Sequence, residues 1–204
     1  MNDSRWFDSK ETKIKYPEVS IYENFLRVAE GDLDKIIIEQ GEESYTPRQI
    51  IYFSNKLAGY FLSQNIQAQD TISVLLPNTI WFVVSVFASF QVGAKVTLIN
   101  PRLSSKEIEF QLNDSETKIL ITNESFCELI STIPNQYKMV ANILTPDSRC
   151  SNISESGSKI NLINMGDIIQ QENTYTGIIS NSEDVAFLLY SGGTTGVAKG
   201  VMLT

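Results

Sequence analysis

From Tyr45 onward the apolar positions change period in a regular way, and each change marks an element. Thr46, Pro47, Arg48 and Gln49 spell a capping box with proline in the first turn, and Tyr45 and Ile50 are spaced as the hydrophobic staple that brackets it. Ile50, Leu57, Ala58, Phe61 and Leu62 then keep helical spacing, which predicts a helix over 47–64. Thr71 to Leu76 is a short β-leaning run. Asn78 is placed to cap an apolar helix from Thr79 to Val92 that Gly93 stops, and Lys95 to Ile99 leans to β again. Strand, helix and strand make a βαβ crossover, whose parallel strands are apolar because both faces of such a sheet are covered.

The alternation continues. Ser104 with Glu107 forms a second capping box and Leu103 with Ile108 a second staple, opening a helix that ends near Asn113 and Asp114. Lys118 to Ile121 reads as a strand, Glu124 to Ile133 as a short helix and Met139 to Leu144 as another strand. After a polar, turn-rich stretch over 145–159 come a weak strand at Ile160 to Ile163, a short helix at Asp167 to Gln171, and further polar residues to Ser182. Asp184 to Tyr190 is an apolar strand, and Val201 to Thr204 is β-leaning. The predicted class is α/β, a mostly parallel, doubly wound sheet flanked by helices. Residues 1–44, polar around the apolar segments 21–28 and 35–38, are expected to be a lead-in that packs on a domain spanning 45–204.

Composition narrows the chemistry. The chain has 204 residues, 42% of them apolar, which suits one globular domain or slightly more. Sixteen Lys plus Arg against 24 Asp plus Glu leave a net charge of −8, so nucleic acid is not an expected partner. Histidine is absent, which excludes His-based catalytic triads and His-ligated metals within these residues. Cys127 and Cys150 have neither zinc spacing nor a CxxC pair and are expected to be reduced, semi-buried thiols. The charged start MNDSRWFDSKETK has no signal-peptide core. The most apolar run, Ile80 to Phe90, is about half the length needed to cross a bilayer. The expectation is a cytoplasmic chain without a transmembrane segment.

One segment carries ligand chemistry. Between the last two strands lie Gly192, Gly193 and Gly196, which let backbone N–H groups turn inward, with Ser191, Thr194 and Thr195 as hydroxyl donors and Lys199 as a cation. Such a loop suits a polyphosphate; a glycine-rich hairpin turn with a solvated lysine is the alternative. It is not a Walker A loop, because Ala198 rather than glycine precedes Lys199 and a strand-like run follows it.

The run YSGGTTGVAKGVMLT resembles the phosphate loop of the adenylate-forming (AMP-binding) enzymes, which include acyl-CoA synthetases, aryl-CoA ligases, luciferases and peptide-synthetase adenylation domains. Tyr190, Ser191, Gly192, Gly193, Thr194, Thr195, Gly196, Lys199 and Gly200 match its pattern, and Ala198 stands where proline is commonest. Gly192 and the GVAKG ending look most like fatty acyl-CoA synthetases. Upstream, YTPRQI and the stretch from LLPNTIW to ETKILIT are similar too, with Gly93, Ala94, Asn100 and Pro101 in packing or turn positions.

The resemblance implies ATP-dependent activation of a carboxylic acid, fatty or aryl, as an acyl adenylate that then meets the thiol of coenzyme A. It also implies that Ser191, Gly192, Gly193, Thr194, Thr195, Gly196 and Lys199 bind the phosphates. No catalytic or metal-ligating residue is assigned. The family's magnesium-binding acid, ribose-binding Asp and catalytic lysine fall beyond the phosphate loop, so the expectation is a truncated N-terminal portion of a ligase, inactive by itself. A non-catalytic nucleotide-binding or subunit-interaction protein is the alternative, and the oligomeric state is open.

Overall fold

The computed structural model describes residues 17–133, 142–146, 161–191 and 198–204. Six helices, α1 (Ile21–Ala29), α2 (Pro47–Ser63), α3 (Ile80–Gln91), α4 (Ser105–Asp114), α5 (Glu124–Ser131) and α6 (Met165–Gln170), alternate with nine strands among these residues. The strands are β1 (Ile38–Gln40), β2 (Glu43–Tyr45), β3 (Thr71–Leu75), β4 (Lys95–Leu98), β5 (Thr117–Thr122), β6 (Asn142–Thr145), β7 (Asn161–Asn164), β8 (Phe187–Ser191) and β9 (Lys199–Leu203). β1 and β2 form a separate hairpin. The other seven make one sheet in the order β7-β6-β5-β3-β4-β8-β9, parallel throughout except for the antiparallel β9. The α/β class and the mostly parallel doubly wound sheet are as expected.

The pleat sends alternate residues to two cores. Ile72, Val74, Val96, Ile119 and Ile121 point to one face, where Ile50, Leu57 and Phe61 of α2, Val84 and Ala88 of α3 and Ile168 of α6 cover them. Leu75 and Leu120 point to the other, under Ile108 and Leu112 of α4 and Cys127 and Ile130 of α5. β3 is buried along its whole length, which is why its sequence reads as unpunctuated apolar and small polar residues.

Local signals hold where they are local. Both capping boxes form: Thr46 and Ser104 each accept from the N–H three residues on, while Gln49 and Glu107 bond back to the cap backbone. α3 ends at Gly93, in a positive-φ turn (φ 73°) that suits glycine. Three expectations are corrected. Asn78 does not cap α3. The helix starts one residue later than expected, at Ile80, with Thr79 in the cap position and no side-chain cap bond, and the Ile80 N–H donates instead to Oε1 of Gln40 on β1 at 2.8 Å. The cap therefore comes from the hairpin, an element that the reading of residues 1–44 did not contain. α6 begins at Met165 rather than Asp167, because the Asn164 side chain accepts from the Gly166 N–H at 2.6 Å. Cys127 is held in a disulfide rather than free, since spacing along a chain says nothing of proximity in space. Cys150 and most of the 145–159 loop lie outside the described residues.

Between α6 and β8 the chain runs as a strap across α2 and α3. Tyr175 N–H donates to the Asn55 carbonyl at 3.0 Å, and Ile179 N–H to the Gln91 carbonyl at 2.8 Å. The buried Gln91 amide donates to both the Tyr175 carbonyl (2.7 Å) and Asn55 Oδ1 (2.9 Å). These bonds fix where β8 enters the sheet.

Candidate functional site

β8 runs parallel to β4, with Val96 opposite Phe187, and the Phe187 ring sits edge-on to Phe90 of α3 at 5.1 Å. Ser191 therefore emerges at the sheet edge where β3, β4 and β5 also end. At that edge β3 leads into α3 on one face, whereas β4 and β5 lead into α4 and α5 on the other. Diverging connections leave a crevice at the carboxyl ends of strands, the usual ligand position in open α/β sheets.

β8 and β9 are antiparallel, and Ser191 pairs with Lys199 as the last rung before the intervening residues. Directly paired residues project from the same face of a ribbon, with Cβ atoms roughly 5 Å apart. A hydroxyl donor and an ammonium thus stand side by side, both exposed. Among the described residues, no carboxylate lies within ion-pair distance of Lys199. Gly192, Gly193, Thr194, Thr195 and Gly196 lie outside the described residues. The flanking strands β8 and β9 pair antiparallel up to the Ser191–Lys199 rung.

Two residues of the motif have roles that the sequence reading did not assign. Tyr190, one residue before Ser191, donates its hydroxyl to Oδ2 of Asp114 at 2.6 Å and sets its ring edge-on to Phe110 of α4 at 6.3 Å. Burial, and secondarily the neighbouring Asp114 carboxylate, push the phenol well above its ordinary value, so it remains a donor at neutral pH. Gly200 is the cross-strand partner of Tyr190, and a Cβ there would come within 2.9 Å of Leu188 Cδ1. Only the structure joins Tyr190 to Asp114, 76 positions away. Asn100, expected in a turn, accepts from Arg102 N–H through its side chain at 3.0 Å and serves that purpose.

A cavity of about 430 Å³ lies at the opposite, amino-terminal edge of β4 and β8, lined in part by Gly93, Ser180, Ala186 and Thr204. Its charged lining is Glu18, Glu183 and Asp184, which would repel a phosphate, so electrostatics as well as topology favour the Ser191–Lys199 edge. Among the described residues no group of three His, Cys, Asp or Glu side chains could hold a metal ion. None of the described helices is long and apolar enough to cross a membrane.

A family model described as AMP-binding enzyme matches residues 25–204, the hairpin included. The chain belongs to the AMP-binding enzyme family. It is 31% identical over 185 residues to 4-coumarate–CoA ligase 1 of Petroselinum crispum, covering 90% of this chain and 31% of that protein. It is 29% identical over 189 residues to a long-chain-fatty-acid–CoA ligase of Bacillus subtilis, covering 84% of this chain and 34% of the relative. The chain thus spans about a third of the length of these curated relatives. Its fold matches that of an anthranilate CoA ligase solved with anthranoyl-AMP, with a TM-score of 0.79 at 24% identity over 92% of this chain and 35% of that one.

Proposed function

We propose that the β8–β9 hairpin holds the β- and γ-phosphates of ATP in an acyl-CoA ligase of the AMP-binding family, which joins a carboxylic acid to coenzyme A through an acyl adenylate. The observation that carries this reading is the Ser191–Lys199 pair at the carboxyl edge of the parallel sheet, flanking a run of glycines and threonines. In such a reaction the acid's carboxylate attacks the α-phosphate in line and pyrophosphate leaves. Lys199 would screen the charge that builds on the departing pyrophosphate, and Ser191, with Thr194 and Thr195, would donate hydrogen bonds that orient it. The amides of Gly192, Gly193 and Gly196 would line the same cradle. Magnesium would offset the triphosphate charge when bound, but the described residues offer no ligand cluster for it and no step is assigned through it.

Relatives named for coumarate and for long-chain fatty acids frame the acid as fatty or aryl. Coenzyme A would be the second substrate, and the cytoplasm is the compartment we propose. We read 1–44 as a lead-in and 45–204 as part of the AMP-binding domain, able to hold the triphosphate but not to turn over by itself. The test is thermal unfolding of the chain with and without ATP. ATP should raise the melting temperature, as any ligand selective for the native state must. Absence of a shift would remove the triphosphate from the hairpin, and acid-dependent exchange of pyrophosphate into ATP would contradict the inability to turn over.

A further inference from the structure

We propose that Tyr190 is a positioning residue for the phosphate hairpin, tying the overhanging half of the β8–β9 ribbon to α4 through Asp114 and so fixing where Ser191 and Lys199 stand. This deepens, and rests on, the reading of that hairpin as a triphosphate site. The ladder between β8 and β4 has a single registered pair, Val96 with Phe187, at the amino-terminal end of β8. Beyond that pair no further registered rung joins β8 to β4, and β9, exposed along its whole length, pairs only with β8. A two-stranded ribbon is marginal in water unless something holds it. At the distal end the tie is the Tyr190 hydroxyl on the Asp114 carboxylate, with Phe110 against the ring.

The position of that tie gives it leverage. Tyr190 is covalently next to Ser191 and sits opposite Gly200, the neighbour of Lys199, so one bond restrains both sides of the loop base. Asp114 is the last residue of α4, where the helix dipole disfavours a carboxylate. A hydrogen bond donated by a neutral hydroxyl compensates it there without bringing a second cation close to the phosphates. Phosphate binding needs donors held at fixed separation before the ligand arrives, and a tether of this kind supplies that preorganisation.

The test is calorimetric titration of inorganic pyrophosphate into the chain, with thermal unfolding measured in parallel. Tyr190→Phe keeps the ring and removes the hydroxyl; it should weaken pyrophosphate binding about fivefold while leaving the melting temperature within a degree or two, because the bond is at the surface. Asp114→Ala should weaken binding by a similar factor, Asp114→Asn, which keeps an acceptor oxygen, by less, and the double variant Tyr190→Phe/Asp114→Ala by no more than either single change. Wild-type affinity in Tyr190→Phe, additive losses in the double variant, or a fall in melting temperature with unchanged affinity would each overturn the tether while leaving the site standing. A wild-type chain that takes up no pyrophosphate would instead overturn the triphosphate site, and the tether with it.

Discussion

The parallel body and the β8–β9 ribbon belong to one sheet, yet they are built by different means. In the body, β3 is wholly buried, β5 nearly so, and helices cover both faces. In the ribbon, β8 is half-buried at best, and Val201, Met202 and Leu203 of β9 are apolar but between 43% and 68% exposed. The body derives its order from burial; the ribbon derives its place from one ladder rung, the Phe187–Phe90 contact, the strap behind it and the Tyr190–Asp114 bond. Stability is therefore concentrated on one side of β4 and the proposed ligand chemistry on the other. On that proposal, the hairpin can be altered without unfolding the scaffold that presents it.

Substitutions of similar chemistry should separate the two regions. Leu75→Ala, fully buried between β3 and the α4–α5 face, should destabilise the chain by about 3 kcal/mol in urea unfolding. Comparable costs for Leu75→Ala and Val201→Ala would erase the distinction. Alkaline pH should act on the body next. Burial pushes Tyr22 and Tyr60 up to about 12 from the ordinary value near 10. Each is neutral when protonated and keeps its proton longer folded than unfolded, so its contribution is complete below about pH 10 and lost as pH rises towards about 12. The urea midpoint should fall across that window, and less steeply in Tyr60→Phe; a midpoint flat to about pH 12 would contradict it. Removing a cap is smaller again, about 1 kcal/mol for Ser104→Ala, which opens the helix that holds Asp114. Smallest is Met202→Ser on the ribbon, within about 0.5 kcal/mol by the same unfolding measurement.

The same contrast explains what the sequence disclosed. Elements of the body were legible because their signals are local: the capping boxes at Thr46 and Ser104, the stop at Gly93 and the apolar runs of β3 to β5 each sit within a few residues of what they determine. The Gln40 cap on α3, the strap on Gln91 and the disulfide at Cys127 were not, because each joins positions that only the folded chain brings together. For the candidate site, spelling alone singled out Ser191 and Lys199, and the structure sets them side by side. Tyr190 was visible as part of the motif but not as a tie, since nothing near it in sequence points to Asp114.

The hairpin's role as a phosphate cradle is tested most directly by calorimetric titration of ATP into the wild-type chain and into Lys199→Ala, which removes the ammonium and leaves the buried body untouched. We expect saturable binding by the wild type that weakens with added salt, and a loss of at least about tenfold in the variant at an unchanged melting temperature. Equal affinity in the two proteins would place the nucleotide elsewhere and contradict the assignment of the Ser191–Lys199 edge.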